Sequence, residues 1–165
     1  MLFFANINIM KFVLSLIVGV INIFCGVGHM EDVYFTKALE YIRVIYVYDN
    51  GDKFEILQSD VYNKIIVELE DIFINSREMP AFGVSLHEET LESLKNGVWL
   101  ELEFDDEYNH NGMPYSKLLM QIEPWVTGVN LIRYNKGYYE GRCFYLDLCG
   151  KDTTNLYNVL KNINP

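Results

Sequence analysis

The chain of 165 residues is half hydrophobic and 15% aromatic, with a formal net charge of −10. That is ample material for one packed domain, and it is not the composition of a disordered chain. Lys11 is the one charged residue before Met30, so residues 30–165 carry twelve cations against twenty-three anions, a net −11. This balance argues against sequence-independent binding to DNA or RNA, which needs a basic surface to displace counterions, and against adsorption to anionic lipid.

The apolar leader comes first. Residues 12–25 read FVLSLIVGVINIFC, broken by Ser15, Gly19 and Asn22. Taken from Met10, with Lys11 ahead of it, the stretch has the charge and length of a secretory signal, and Gly26 and Gly28 offer small residues for a cut before His29. Uncut, residues 12–27 are slightly short of a span of about 20 residues but suit a membrane anchor, with the domain outside the cytoplasm. Cys25 follows the large Phe24, which disfavours a lipoprotein site. Translation from Met30 would instead leave a cytosolic domain. The expected organisation is a signal peptide or anchor over residues 1–29 and one domain over residues 30–165. Cysteine usage pulls toward the cytosol. Cys143 and Cys149, on one expected strand, would sit about 20 Å apart at strand rise. A disulfide needs Cα atoms within about 7 Å, and unpaired thiols suit a reducing compartment.

Within the domain, residues 31–40 suggest a short helix. Asn50-Gly51 is the dipeptide of a type I′ hairpin, which pairs Val47 with Phe54 and Ile45 with Ile56 on one face. Tyr48 with Lys53 and Tyr46 with Glu55 fall on the other. Ser59 or Asp60 then caps a helix whose Val61, Ile65, Leu69, Ile72 and Phe73 recur at helical spacing, closed by Pro80 and Gly83. Ser85 with Glu88 reads as a capping box for a helix containing Leu86, Leu91 and Leu94 and ending at Asn96-Gly97. Strict alternation in VWLELEF sends Val98, Leu100, Leu102 and Phe104 inward and leaves Trp99, Glu101 and Glu103 on a solvated side. A polar loop over residues 105–116 leads to a strand over 118–122. A last hairpin turns at Lys136-Gly137, pairing Arg133 with Glu140, Leu131 with Arg142 and Val129 with Phe144. A helix capped by Asp152 or Thr153 and carrying Leu156, Val159, Leu160 and Ile163 ends the chain. The order predicts an α+β fold: an antiparallel sheet of two hairpins and further strands, with three helices packed mainly on one face.

Candidate sites are few. Asp105, Glu107, Asn109 and Asn111 alternate before Gly112, echoing a calcium loop, but position twelve counted from Glu107 is Leu118 where a bidentate Glu is required. No clustered His/Cys set proposes zinc, and no phosphate-binding or serine-hydrolase motif occurs, so neither metal nor cofactor is expected. His110, beside Asp105 and Glu107, is the one candidate acid–base group. Cys143 adjoins Arg142 in sequence, but alternation turns the two side chains to opposite faces. Tyrosines offer a softer signal: Tyr46 and Tyr48 share one hairpin face, Tyr134, Tyr139 and Tyr145 another, with Trp99 beside Glu101. Tyrosine-rich polar sheet faces suit contact with a protein or a carbohydrate.

These features lead to an exported or membrane-anchored, non-catalytic binding domain that uses a tyrosine-rich, acidic sheet face. A cytosolic acidic inhibitor, of the immunity or antitoxin kind, that masks a basic protein is the alternative. A small hydrolase or metal-dependent enzyme at residues 105–112 is the third.

Overall fold

A computed structural model describes residues 34–81 and 83–163. The expected leader lies outside these residues, and no helix among them is long and apolar enough to cross a membrane. The first hairpin follows its turn chemistry. Asn50 and Gly51 take φ of 52° and 95°, joining β1 (Ile42–Asp49) to β2 (Asp52–Glu55), with Val47 opposite Phe54 and Tyr46 opposite Glu55. A short helix α1 (Phe35–Ala38), continued by a 3₁₀ turn over Leu39–Tyr41, precedes β1.

Helix α2 (Ser59–Asn75) buries Ile65, Leu69, Ile72 and Phe73, the stripe expected from its spacing. Its N-cap is Gln58, with no side-chain cap bond, so Ser59 and Asp60 lie inside the first turn. Beyond it, the segment expected to be closed by Pro80 and Gly83 holds two short strands, β3 (Arg77–Met79) and β4 (Val84–Ser85). The capping box does not form: Leu86 is the N-cap of α3 (His87–Ser93), and the Ser85 hydroxyl donates to the carbonyl of Gly141. Leu86 and Leu91 are exposed, while Thr90 and Leu94 are buried.

The largest correction concerns residues 105–112, which form no loop. Strand β5 (Val98–His110) runs straight through them, turns at Asn111-Gly112 and returns as β6 (Met113–Gln121), with Tyr108 opposite Tyr115. Both turn residues have positive φ, so this is a second Asn-Gly hairpin, whose signal the surrounding charges masked. The ladder shifts between Glu103 and Tyr108, which bends the outer half of the hairpin.

The last hairpin also departs from its expected register. Strand β7 (Gly128–Asn135) pairs β8 (Tyr138–Tyr139) across Lys136-Gly137 as expected, with Tyr134 opposite Tyr139. Gly141, at φ 90°, then breaks the ladder, and β9 (Gly141–Arg142) pairs with β4 instead. When the chain rejoins β7 as β10 (Phe144–Asp147) it has slipped by two residues, so Phe144 faces Leu131 and Leu146 faces Val129. A two-residue slip preserves the inward face, and Phe144, Leu146 and Leu148 are all buried. Helix α4 (Thr154–Lys161) follows, with Thr153 as N-cap and Asp152 accepting the Thr154 N–H.

The fold is therefore α+β, on an antiparallel sheet ordered β2-β1-β5-β6-β7-β10-β3, with β8 alongside β7. Helices α1, α2 and α4 bury their apolar residues against the first face, with Ile45, Val47, Leu100, Leu102, Leu118, Met120 and Phe144. Helix α3 lies on the second face, where Leu94 joins Tyr48, Trp99, Leu119 and Tyr139 in a smaller cluster. The side expected to be solvated is thus covered around Trp99 and Glu101, both buried.

Candidate functional site

The second face is organised by Glu101. Alternation along β5 points it there, and the ladders bring its neighbours. Tyr46 of β1 is opposite Glu101, Tyr48 is opposite both Trp99 and Lys53, Lys117 of β6 is opposite Glu103, and Tyr134 is opposite both Lys117 and Tyr139. Side chains from four other strands, β1, β2, β6 and β8, converge on one carboxylate that is 0% exposed. Its Oε2 accepts from the hydroxyl of Tyr48 at 3.2 Å and from that of Tyr139. Its Oε1 accepts from Lys53 Nζ at 3.1 Å, with Lys117 Nζ 3.6 Å away. A buried carboxylate with one of these donors missing would carry a large desolvation penalty, so the whole constellation is held together. Burial, followed by the Glu101 charge, pushes the Tyr48 phenol well above its ordinary range and keeps it a donor.

The amines are held in turn by rings. Lys53 Nζ lies 3.8 Å from the centroid of Tyr46 and 5.0 Å from that of Tyr48, and Lys117 Nζ lies 5.1 Å from Tyr134. Lys117 also pairs with Glu103 at 2.7 Å, and Arg43 meets the same carboxylate. Tyr134 packs edge-on to Tyr139 at 4.8 Å. From the covering side, His87 stacks on Tyr139, and its Nδ1 accepts the Tyr139 N–H at 3.1 Å. Glu101 and Glu103 thus meet Arg43, Lys53 and Lys117, and cations offset the acids in this part of the face, where an acidic surface was expected.

The structure therefore gathers Tyr46, Tyr48, Trp99, Tyr134 and Tyr139 into one cluster. Tyr48, Trp99 and Tyr139 are buried within it, while Tyr46 and Tyr134 are half-buried at its rim. Tyr145 lies elsewhere, over Gly128, where a Cβ would collide with its hydroxyl.

The three residues of the expected polar loop each have a separate setting. Asp105 accepts from the Tyr108 hydroxyl at 2.6 Å, and Glu107 is half-buried farther along the strand. His110 is 2% exposed, its ring 4.6 Å from Phe35 and 5.3 Å from Phe144. Its Nε2 lies 2.7 Å from Glu78 Oε2 on β3, and Asn111 donates to the other Glu78 oxygen at 3.1 Å. The bent tip of the β5–β6 hairpin is thereby tied to the far edge of the sheet. Burial pushes the Cys143 thiol up, so burial works against a thiolate there; Cys149 is exposed, and both are free. Arg133 sends Nε to the carbonyl of Arg142 and Nη1 to that of Pro114, each at 2.7 Å, where a charge ladder with Glu140 was expected.

Sequence reasoning missed the roles of Lys117 and Glu78, because each depends on strands distant in the chain. It also passed over Trp125, the most exposed aromatic among the described residues, whose place after Pro124 was a usable signal. Among the described residues, no group of three His, Cys, Asp or Glu side chains is arranged to hold a metal ion. Comparison with protein-family models, curated proteins and solved structures finds no match to this chain.

Proposed function

We propose that the chain is a non-catalytic binding domain that meets a protein or carbohydrate partner with the rim of its second sheet face, around Tyr46, Tyr134 and Lys53. The reading rests on one observation: both oxygens of the fully buried Glu101 are taken by donors from its own sheet. That network spends the acid on structure and fixes the rim rings and Lys53, whose side chain is 39% exposed, in one geometry. Rigid rings with a polar tip lose little entropy on contact, which is the chemistry of a recognition surface. Export or anchoring through residues 12–27 remains part of this reading on the strength of the leader's composition alone.

The alternative, a cytosolic acidic inhibitor of a basic protein, draws support from the exposed free thiol of Cys149, which suits a reducing compartment. Sequencing the mature amino terminus from native cells separates the two: a start at His29 supports export, and a start at Met30 supports the inhibitor. The binding reading is tested by screening the full chain against a glycan array and a panel of basic peptides. Binding that the double variant Y46A/Y134A loses supports the rim. A hydrolytic activity abolished by H110A would overturn it.

A further inference from the structure

Five non-glycine residues among those described have positive φ: Asn50, Asn111, Trp125, Lys136 and Cys149. Four of them directly precede a glycine that is also at positive φ, as two-residue turns of mirror-image type demand. Trp125 does not fit that pattern. At φ 66° it is the second middle residue of the Pro124–Trp125 turn, a position of the kind that type II turns give to glycine after proline. A bulky side chain there is a genuine outlier, and it persists only where the surroundings hold it.

The surroundings do hold it. The Trp125 N–H donates to Thr154 Oγ1 at 3.0 Å. Thr153, 1% exposed, donates its hydroxyl to the carbonyl of Glu123 and its N–H to that of Val126 at 3.1 Å. The turn is thus pinned on both sides of Trp125 by the start of α4. Yet the residue so held is 76% exposed. Core packing does not account for the strain, because the side chain is outside; presentation of an indole to something beyond the chain does.

The local chemistry selects the occupant. An indole face attracts cations through its quadrupole. The residues that pin the turn bring two exposed carboxylates with them, Glu123 before Pro124 and Asp152 before Thr153. Lys151, the neighbouring cation in the sequence, is drawn off to Asp71 at 2.5 Å. We propose that Trp125 is the preformed anchor of a docking surface for a basic segment of a partner protein, whose arginine or lysine side chain lies on the indole. This rests on the binding-domain reading and adds to it a residue outside the tyrosine rim and a partner class.

The test is a titration of the full chain with the peptide acetyl-(Ala-Arg)₃-amide, read by indole emission, since Trp99 is buried and Trp125 is the exposed reporter. The expected result is saturable binding that the citrulline analogue fails to reproduce. Trp125→Ala, read by calorimetry, should weaken it about fivefold or more, and Thr154→Val, which unpins the turn, should weaken it while leaving the indole in place. Trp125→Gly should lose binding while its denaturation midpoint holds or rises, because glycine relieves the turn. Equal binding of the citrulline peptide, no effect of Trp125→Ala, or an emission shift with phosphatidylcholine vesicles and none with the peptide would each overturn the proposal. Should the peptide bind and Y46A/Y134A weaken it while Trp125→Ala does not, the rim reading stands and this inference falls. The reverse pattern leaves this inference standing and sinks the rim.

Discussion

The two faces of the sheet are built from alternate residues of the same strands, yet they are closed by different means. On the first face, α1, α2 and α4 cover an aliphatic and aromatic layer that includes Ile45, Leu100, Leu102 and Leu118, all 0% exposed. On the second, the short α3 covers a layer whose centre is the carboxylate of Glu101, bonded to two phenols and an amine. Apolar burial is additive and tolerant of substitution, since each side chain contributes through area and shape. A buried charge is all-or-none, because removing any partner leaves a desolvated group unmet. The comparison teaches that one strand can carry both kinds of core on neighbouring residues.

Leu100 and Glu101 make the sharpest test. Leu100→Ala should cost about 2–5 kcal/mol by cavity formation. Glu101→Ala should cost about 3–5 kcal/mol by stranding the partners of a buried charge. Urea denaturation of both variants reads the difference, and a Glu101→Ala loss below about 1 kcal/mol would show that the second face is peripheral. Gly141 is next. It lets the chain leave the β7 ladder after β8 so that β9 pairs with β4, and a Cβ there would come within 3.1 Å of Arg133 Nη2 at a φ of 90°. Gly141→Ala should therefore lose roughly 1–2 kcal/mol, together with altered exchange of the β4 and β9 amides as their pairing is disturbed.

Tyr48 supplies a pH signature of the second face alone. Its phenol has a folded value raised above the ordinary one, by burial first and Glu101 second. A group raised in this way contributes stability that is fully present below its unfolded value, about 10, and is lost as pH climbs from there toward the folded value. Thermal melts from pH 8 to 11 should show a falling midpoint in the parent chain, and a shallower fall in Tyr48→Phe. The smallest effect is expected from a polar residue on the apolar face. His110 is walled by Phe35 and Phe144, its Nδ1 has no hydrogen-bond partner, and Glu78 can meet water at the sheet edge. His110→Leu should stay within about 1 kcal/mol of the parent, in contrast to Glu101→Leu, and a loss as large as that of Glu101→Ala would erase the distinction between the faces.

Legibility followed range. The Asn50-Gly51 hairpin came out in its expected register because the turn residues, the face pattern and the pairing all lie within a dozen positions. The stripe of α2 was read correctly for the same reason. The Asn111-Gly112 turn carries the same dipeptide, and it was missed because Asp105, Asp106 and Glu107 look like solvated loop. In the structure they ride on a strand whose bend turns them outward, with Asp105 and Asp106 exposed. The register slip after Gly141 was not visible because its cause is the pairing of β9 with β4, fifty-odd residues earlier in the chain. The site was legible in part: five of the six aromatic residues singled out do share one cluster, but Tyr145 was grouped with them only by parity.

By itself the sequence determined the Asn50-Gly51 hairpin, the buried stripe of α2, the first-face residues Val98, Leu100, Leu102 and Phe104 and the antiparallel α+β class, because periodicity and turn chemistry act within a few residues. Only the tertiary structure decided which second-face residues would be buried, that Lys53 and Lys117 would meet Glu101, and that a strained tryptophan would stand in solvent. Those outcomes depend on which distant strands and helices cover a given face, and on the low dielectric that cover creates, and neither is written in any local stretch of chain.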